Sequence, residues 1–189
     1  LSTEITFDKN VVAQADGIIL PGVGAFGDAM QTLRNHDLVA PMKEAIISGK
    51  PFLGICLGMQ LLMTESEEFG AHEGLDIFQG RVIQFPHARD TGERIKVPQV
   101  GWNTIVSPHE KWSTPLLEGV SPGSYMYFVH SYRVVPLRED TTVTTSEYEG
   151  VTYVSGIAKD NVIAFQFHPE KSGIKGIQIY KNFAQMVPA

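Results

Sequence analysis

The run Pro51-Phe52-Leu53-Gly54-Ile55-Cys56-Leu57-Gly58-Met59-Gln60-Leu61-Leu62-Met63 constrains the fold more than any other stretch of this sequence. Pro51 to Ile55 is short and apolar and follows the Gly49-Lys50 break, which predicts a buried strand. Gln60 to Met63 are good helix formers. Between them, Gly54 and Gly58 remove side chains where backbones must come close. The expected unit is therefore strand, sharp turn, helix, with the chain's only cysteine on the turn.

A strand-turn-helix with small residues on both sides of a nucleophile resembles a nucleophile elbow with Cys in place of Ser. At the start of a helix, unpaired N–H groups favour thiolate over thiol. The N–H of Leu57 points to where an oxyanion would form. The plainer alternative is a small buried thiol packed like alanine. The flanking glycines favour the nucleophile.

Around this unit the first third reads as α/β. Glu4 to Phe7 alternates like an edge strand, and Asp16 to Leu20 is a buried strand running into the glycine-rich Pro21-Gly22-Val23-Gly24-Ala25-Phe26-Gly27. Asp28 is expected to cap a helix to about Arg34, and Pro41 to open a second through Ser48, with Gly49 as its stop. Parallel strands follow from that alternation. Further on, strands are expected over 74–78, 80–85, 97–105, 125–129, 132–135, 142–148, 153–158 and 162–167, as a mixed sheet plus hairpins laid against the α/β core. Ile174, Ile177, Tyr180 and Phe183 fall at helical spacing and predict a final amphipathic helix to Met186. The whole of 1–189 is expected to be one domain.

The formal net charge of -6, with no basic run, argues against a nucleic-acid surface. No apolar stretch reaches the ~18 residues of a membrane span, and no secretory leader pattern is present. One cysteine makes no internal disulfide, which fits a reducing cytoplasm.

A cysteine nucleophile needs a base, and the base an orienting group. Val162-Ile163-Ala164-Phe165-Gln166-Phe167-His168-Pro169-Glu170 offers both: His168 ends an apolar strand, and Glu170 can turn back to the imidazole across Pro169. Both ends are C-terminal strand ends, where open α/β sheets build their sites. Pro21 to Gly24 lacks a Walker lysine and the G-x-G-x-x-G spacing, so it reads better as a second oxyanion donor than as a phosphate cradle.

Five segments occur in one order: Pro21 to Phe26, Gly54 to Gln60, Pro98-Gln99-Val100-Gly101-Trp102-Asn103, Tyr127-Phe128-Val129-His130-Ser131-Tyr132, and Phe165 to Ser172. Together they resemble the triad (class I) glutamine amidotransferases across the whole chain. Within these they are similar to the family of glutaminase subunits of imidazole glycerol phosphate synthase, from histidine biosynthesis. The implied fold is an open, mostly parallel sheet flanked by helices, with an added antiparallel region. The resemblance implies that Cys56 attacks the side-chain amide of L-glutamine, His168 relays protons and Glu170 orients it. It implies an oxyanion hole from Leu57 and the Gly22-Val23 segment, and glutamine binding by Gly24, Gln60, Ser131 and Tyr132. Trp102, Asn103 and Lys171 match positions near the interface with the partner. That partner is a (β/α)8 barrel cyclase that receives ammonia within a heterodimer, and no metal or organic cofactor is implied. The family also carries a strand and helix with D-Y-G-x-G-N ahead of the segment that opens this sequence, so the sequence is expected to be a truncated piece. Three alternatives stay open: a glutaminase feeding another synthase, a non-catalytic scaffold subunit, and a cysteine hydrolase of peptides.

Overall fold

The computed structural model describes residues 2–89, 91–109 and 111–188. Its first regular element is a short helix, Lys9–Gln14 (α1), started by Asp8, whose side chain accepts from the Asn10 N–H. Then come β1 (Ile18–Gly22), α2 (Phe26–Asn35) and α3 (Val39–Ile47). β2 (Phe52–Cys56) runs directly into α4 (Leu57–Leu61), followed by β3 (Met63–Ser66) and β4 (His72–Glu73). Next are β5 (Phe78–Gln84), β6 (Gln99–Thr104), β7 (Tyr125–His130), β8 (Tyr132–Pro136), β9 (Thr142–Tyr148), β10 (Val151–Lys159) and β11 (Val162–Phe165). The helix α5 (Gly173–Met186) comes last.

The described residues build a nine-stranded mixed sheet, ordered β1-β2-β11-β10-β8-β5-β3-β4 with β9 on β10, and a two-stranded sheet of β6 and β7. β1, β2 and β11 are mutually parallel. Alternation along these strands divides the core. Phe52 on β2, with Val162 and Ala164 on β11, joins the cluster beneath the first four helices. Leu53 and Ile55, with Ile163 and Phe165, join a second cluster under α5 and the small sheet. β2 and β11 are buried at every position, covered on both faces, which is why they read as unbroken apolar runs; β1 alternates, with Ile19 exposed. Ile163 pairs Leu53 and Phe165 pairs Ile55, so β11 delivers the segment that follows it to the same edge as Cys56.

Several boundaries differ from the sequence expectation. Glu4 to Phe7 forms no strand: nothing lies beside it to complete a ladder, and Phe7 packs on the His36 ring at 4.9 Å. α2 starts at Phe26, not Asp28, because Glu68 reaches from outside the helix and accepts the Phe26 N–H at 2.6 Å. Met63, expected in the elbow helix, begins β3, because the backbone N–H groups of Phe78 and Ile77 bond the Leu62 carbonyl. Of 74–78 only Phe78 is strand; Gly74, Leu75 and Ile77 spend their N–H groups on residues 61–64. The strand expected over 97–105 is 99–104, and that over 162–167 stops at Phe165. In α5, Ile174 and Ile177 are 88% and 45% exposed. The buried face is Gly176, Ile179, Asn182 and Phe183, one step around the helix. Asn182 is inside because its amide donates to the carbonyls of Leu116 and Glu118. A sequence-based stripe of apolar residues cannot anticipate a buried polar anchor.

Candidate active site

Cys56 ends β2 and precedes α4 with φ 54° and ψ -109°. That backbone is outside the regions open to ordinary L-residues and stores about 1–3 kcal/mol of strain. The turn is this tight because Gly58 lies on the Leu20 carbonyl, where a Cβ would collide with backbone. Glycine at 58 therefore lets α4 sit on β1 and swings the thiol to the strand-end edge. Gly22 pairs Cys56 in the parallel ladder, so the segment after it lies alongside the turn. In that segment Val23 is 77% exposed and Gly24 adopts φ 102°, with open space where a Cβ would stand.

His168 is buried, and its Nδ1 lies 2.7 Å from Glu170 Oε1. Pro169–Lys171 forms a 3-10 turn that folds the carboxylate back to the ring. Tyr180 on α5 donates its hydroxyl to the other carboxylate oxygen at 3.3 Å. Burial and Glu170 push the Tyr180 pKa up, so the hydroxyl stays a donor. The His168 backbone is fixed by its N–H to the Tyr127 carbonyl and by Ser172 Oγ donating to its own carbonyl. Ser172 Oγ also accepts the Tyr127 N–H. His168 Nε2 is buried and meets no hydrogen-bond partner among the described residues. With Nδ1–H donated to Glu170, that nitrogen is a bare base.

Burial pushes the Cys56 thiol up to about 11, against the pull of the Leu57 N–H and the Gln166 amide. Glu170 adds to the rise and Lys171 opposes it. The Leu57 N–H pulls toward thiolate as expected from its place at the helix start, but α4 has only five residues and loss of solvent outweighs that pull. The sulfur instead donates to the Val129 carbonyl at 3.8 Å and receives Gln166 Nε2 at 3.6 Å. The site thus rests as a thiol, with the His168 acceptor on the same strand-end edge, and the nucleophile forms only when the proton moves.

The remaining sequence-predicted residues divide. Gln60 is buried and donates to the Tyr132 carbonyl and to Gln166 Oε1, leaving its own Oε1 as an acceptor. Ser131 alone links β7 to β8, whose first residue is Tyr132, and the Ser131 carbonyl accepts the Phe85 N–H. Trp102 is 56% exposed, with its ring edge-on to Tyr127 at 6.1 Å, and Lys171 Nζ stands 5.7 Å over the same Tyr127 ring. Asn103 is turned to internal use: its amide donates to the Glu147 carbonyl and its oxygen accepts the Thr104 N–H.

Two groups escaped the sequence reading. Gln166 is fully buried between Phe165 and Phe167, and a polar residue inside an aromatic run was the available signal. Glu68 holds the start of α2 and lies near Tyr132, whose pKa is raised by burial and then by Glu68 and Glu67. Nothing in the acidic stretch around Glu68 singled it out.

The model of the family "Glutamine amidotransferase class-I" matches residues 2–186. A protein of Syntrophotalea carbinolica, "Imidazole glycerol phosphate synthase subunit HisH", is 50% identical over 186 residues, 98% of this chain and 88% of that protein. The protein of the same name from Aquifex aeolicus is 48% identical over 179 residues, 95% of this chain and 82% of its own. Among solved structures, a "glutamine amidotransferase" superposes with TM-score 0.70 at 15% identity, covering 99% of this chain and 87% of that one.

Proposed function

The chain belongs to the class-I glutamine amidotransferases, and from that premise we propose that it is the glutaminase subunit of an imidazole glycerol phosphate synthase. It hydrolyses L-glutamine with Cys56, His168 and Glu170 and passes ammonia to a (β/α)8 barrel cyclase. The observation that carries the reading is a buried histidine, held by a carboxylate at 2.7 Å and bare at Nε2, on the strand-end edge it shares with a strained cysteine. The two relatives, near half identical over almost the whole chain, are named as a subunit of that synthase, which supports a partner subunit.

Glutamine enters with its amide carbon over Sγ. The thiol proton passes to His168 Nε2 as sulfur attacks and the C–S bond forms. The carbonyl oxygen becomes an oxyanion held by the Leu57 N–H and by the Gly22-Val23 segment. His168 returns the proton to the amide nitrogen, the C–N bond breaks, and ammonia leaves a γ-glutamyl thioester. Water then gives a proton to His168 and attacks the thioester; the proton returns to sulfur and glutamate departs. Glu170, assisted by Tyr180, stabilises the imidazolium formed twice in the cycle. Gln60, Ser131, Tyr132 and the Gly24 backbone line the substrate, with Glu68 as the anion for its α-ammonium group. The segment 1–189 works as one such domain, in the cytoplasm, where a thiol nucleophile stays reduced. No helix of the described residues is long and apolar enough to cross a membrane.

The deciding experiment is glutamate release from glutamine, by the chain alone and with the cyclase plus its ribotide substrate. Turnover should be low alone, rise with partner and ligand, and vanish in Cys56→Ala. Full turnover in Cys56→Ala would overturn the assignment, and stimulation by a different synthase would move the chain to another branch of the family.

A further inference from the structure

Gln60, Gln166 and Cys56 form a buried relay with one fixed polarity. It begins at the Tyr132 carbonyl, a group that can only accept. Gln60 Nε2 donates one hydrogen to that carbonyl at 3.2 Å and the other to Gln166 Oε1 at 3.0 Å. The oxygen end of Gln166 is thereby engaged, and its Nε2 faces Cys56 Sγ at 3.6 Å. Flipping Gln60 would set two acceptors face to face at Tyr132, and flipping Gln166 would set two donors together, so neither inverted arrangement is tolerated out of water. Gln166 is also pinned through its backbone N–H to the Ser155 carbonyl. The backbone of β8 thus dictates that an N–H, not a C=O, points at the sulfur.

The sulfur meets groups of opposite preference. The Val129 carbonyl accepts the S–H and favours the thiol. The Gln166 amide favours the thiolate, and its bond strengthens as the sulfur becomes charged. When the proton passes to His168, the Val129 contact turns repulsive and the Gln166 contact is the one that gains. We propose that Gln166 is a further catalytic residue, holding the Cys56 thiolate by donation from Nε2, and that Gln60 acts through it as the positioning residue that sets the amide's polarity. This rests on Cys56 being the nucleophile. The charged groups that act on the sulfur are Glu170 and Lys171 after β11; His168 precedes them and His130 ends β7, and the variants below leave all four in place.

The test uses the single cysteine. Alkylation of the chain by iodoacetamide as a function of pH reads the thiolate fraction of Cys56 without glutamine or partner. In Gln166→Met the midpoint should rise by about one pH unit or more, a tenfold loss of thiolate at fixed pH. The kcat for glutamine in the cyclase complex should fall about ten- to hundredfold, with KM within about threefold. Gln166→Leu, neutral and without a donor, should shift the midpoint about as far and carries the comparison if the Met variant does not fold. Gln60→Met should raise the midpoint by a smaller step, because Gln166 then keeps its donor but loses its orientation. An unchanged midpoint in a folded Gln166 variant overturns the inference, even with normal glutaminase turnover in the parent. A shifted midpoint in a parent that never releases glutamate would sink the glutaminase reading and leave the thiolate-holding role standing.

Discussion

At Cys56 the backbone and the side chain serve opposed ends. The φ of 54° puts the sulfur at the strand-end edge but costs stability that only glycine recovers. Cys56→Gly should therefore exceed Cys56→Ala in stability by about 1 kcal/mol in urea unfolding, although both lack the nucleophile. Equal stability of the two would mean that the turn is unstrained. His130, two residues from Tyr132, shows the other face of burial. Its Nδ1 lies 2.8 Å from the Tyr132 carbonyl, and burial, more than the opposing hydrogen bond, drives its pKa from 6.5 down to about 4. A depressed histidine pKa means that the unfolded chain binds the proton first. The neutral ring's contribution to stability is whole above pH 6.5 and is lost as pH falls toward 4. Urea melts should therefore show stability dropping over that window by an amount on the order of 3 kcal/mol. His130→Gln should flatten the drop, and an unaltered slope would remove His130 as its source.

At the scale of elements, the last helix and the small sheet do the work that strand order alone does not. α5 covers the second core cluster through Ile179 and Phe183 and anchors itself by Asn182, while Ile174 faces solvent. Ile179→Ala should cost about 2–5 kcal/mol. Ile174→Lys should stay within about 0.5 kcal/mol. Thermal melts showing the reverse would restore the stripe of apolar residues as the packing face. β7 touches both ends of the chemistry: its Val129 carbonyl accepts from Cys56 and its Tyr127 carbonyl accepts from His168. A displacement of β7 along its axis would therefore shift both groups at once.

Across the whole molecule, the covered parallel strands put the chemistry at one sheet edge, and the β6–β7 sheet extends from it to an exposed aromatic face. Trp102, Tyr127 and Lys171 lie together there, with Val100 and Tyr125 also exposed. An exposed tryptophan backed by an aromatic ring and a cation suits an interface anchor. Trp102→Ala should weaken binding to the cyclase at least tenfold, roughly 1.4 kcal/mol or more, by titration calorimetry. Basal glutaminase activity of the isolated chain is the control, and unchanged affinity would place the docking face elsewhere.

Much of this was legible in the sequence. Local rules act over a few residues, so the elbow around Cys56, the His168-Pro169-Glu170 turn and the apolar strands of the covered sheet could be read from spacing and residue type alone. The sequence by itself determined which residue types stand at the strand ends. Only the tertiary structure decided what surrounds them. It raised the Cys56 thiol to about 11 by removing water. It turned Asn103 inward and moved the buried face of α5 by one step. It brought Gln166, 110 positions away in the chain, against the sulfur. Desolvation and the polarity of a hydrogen-bond relay are properties of distant groups meeting, and no window along the chain contains them.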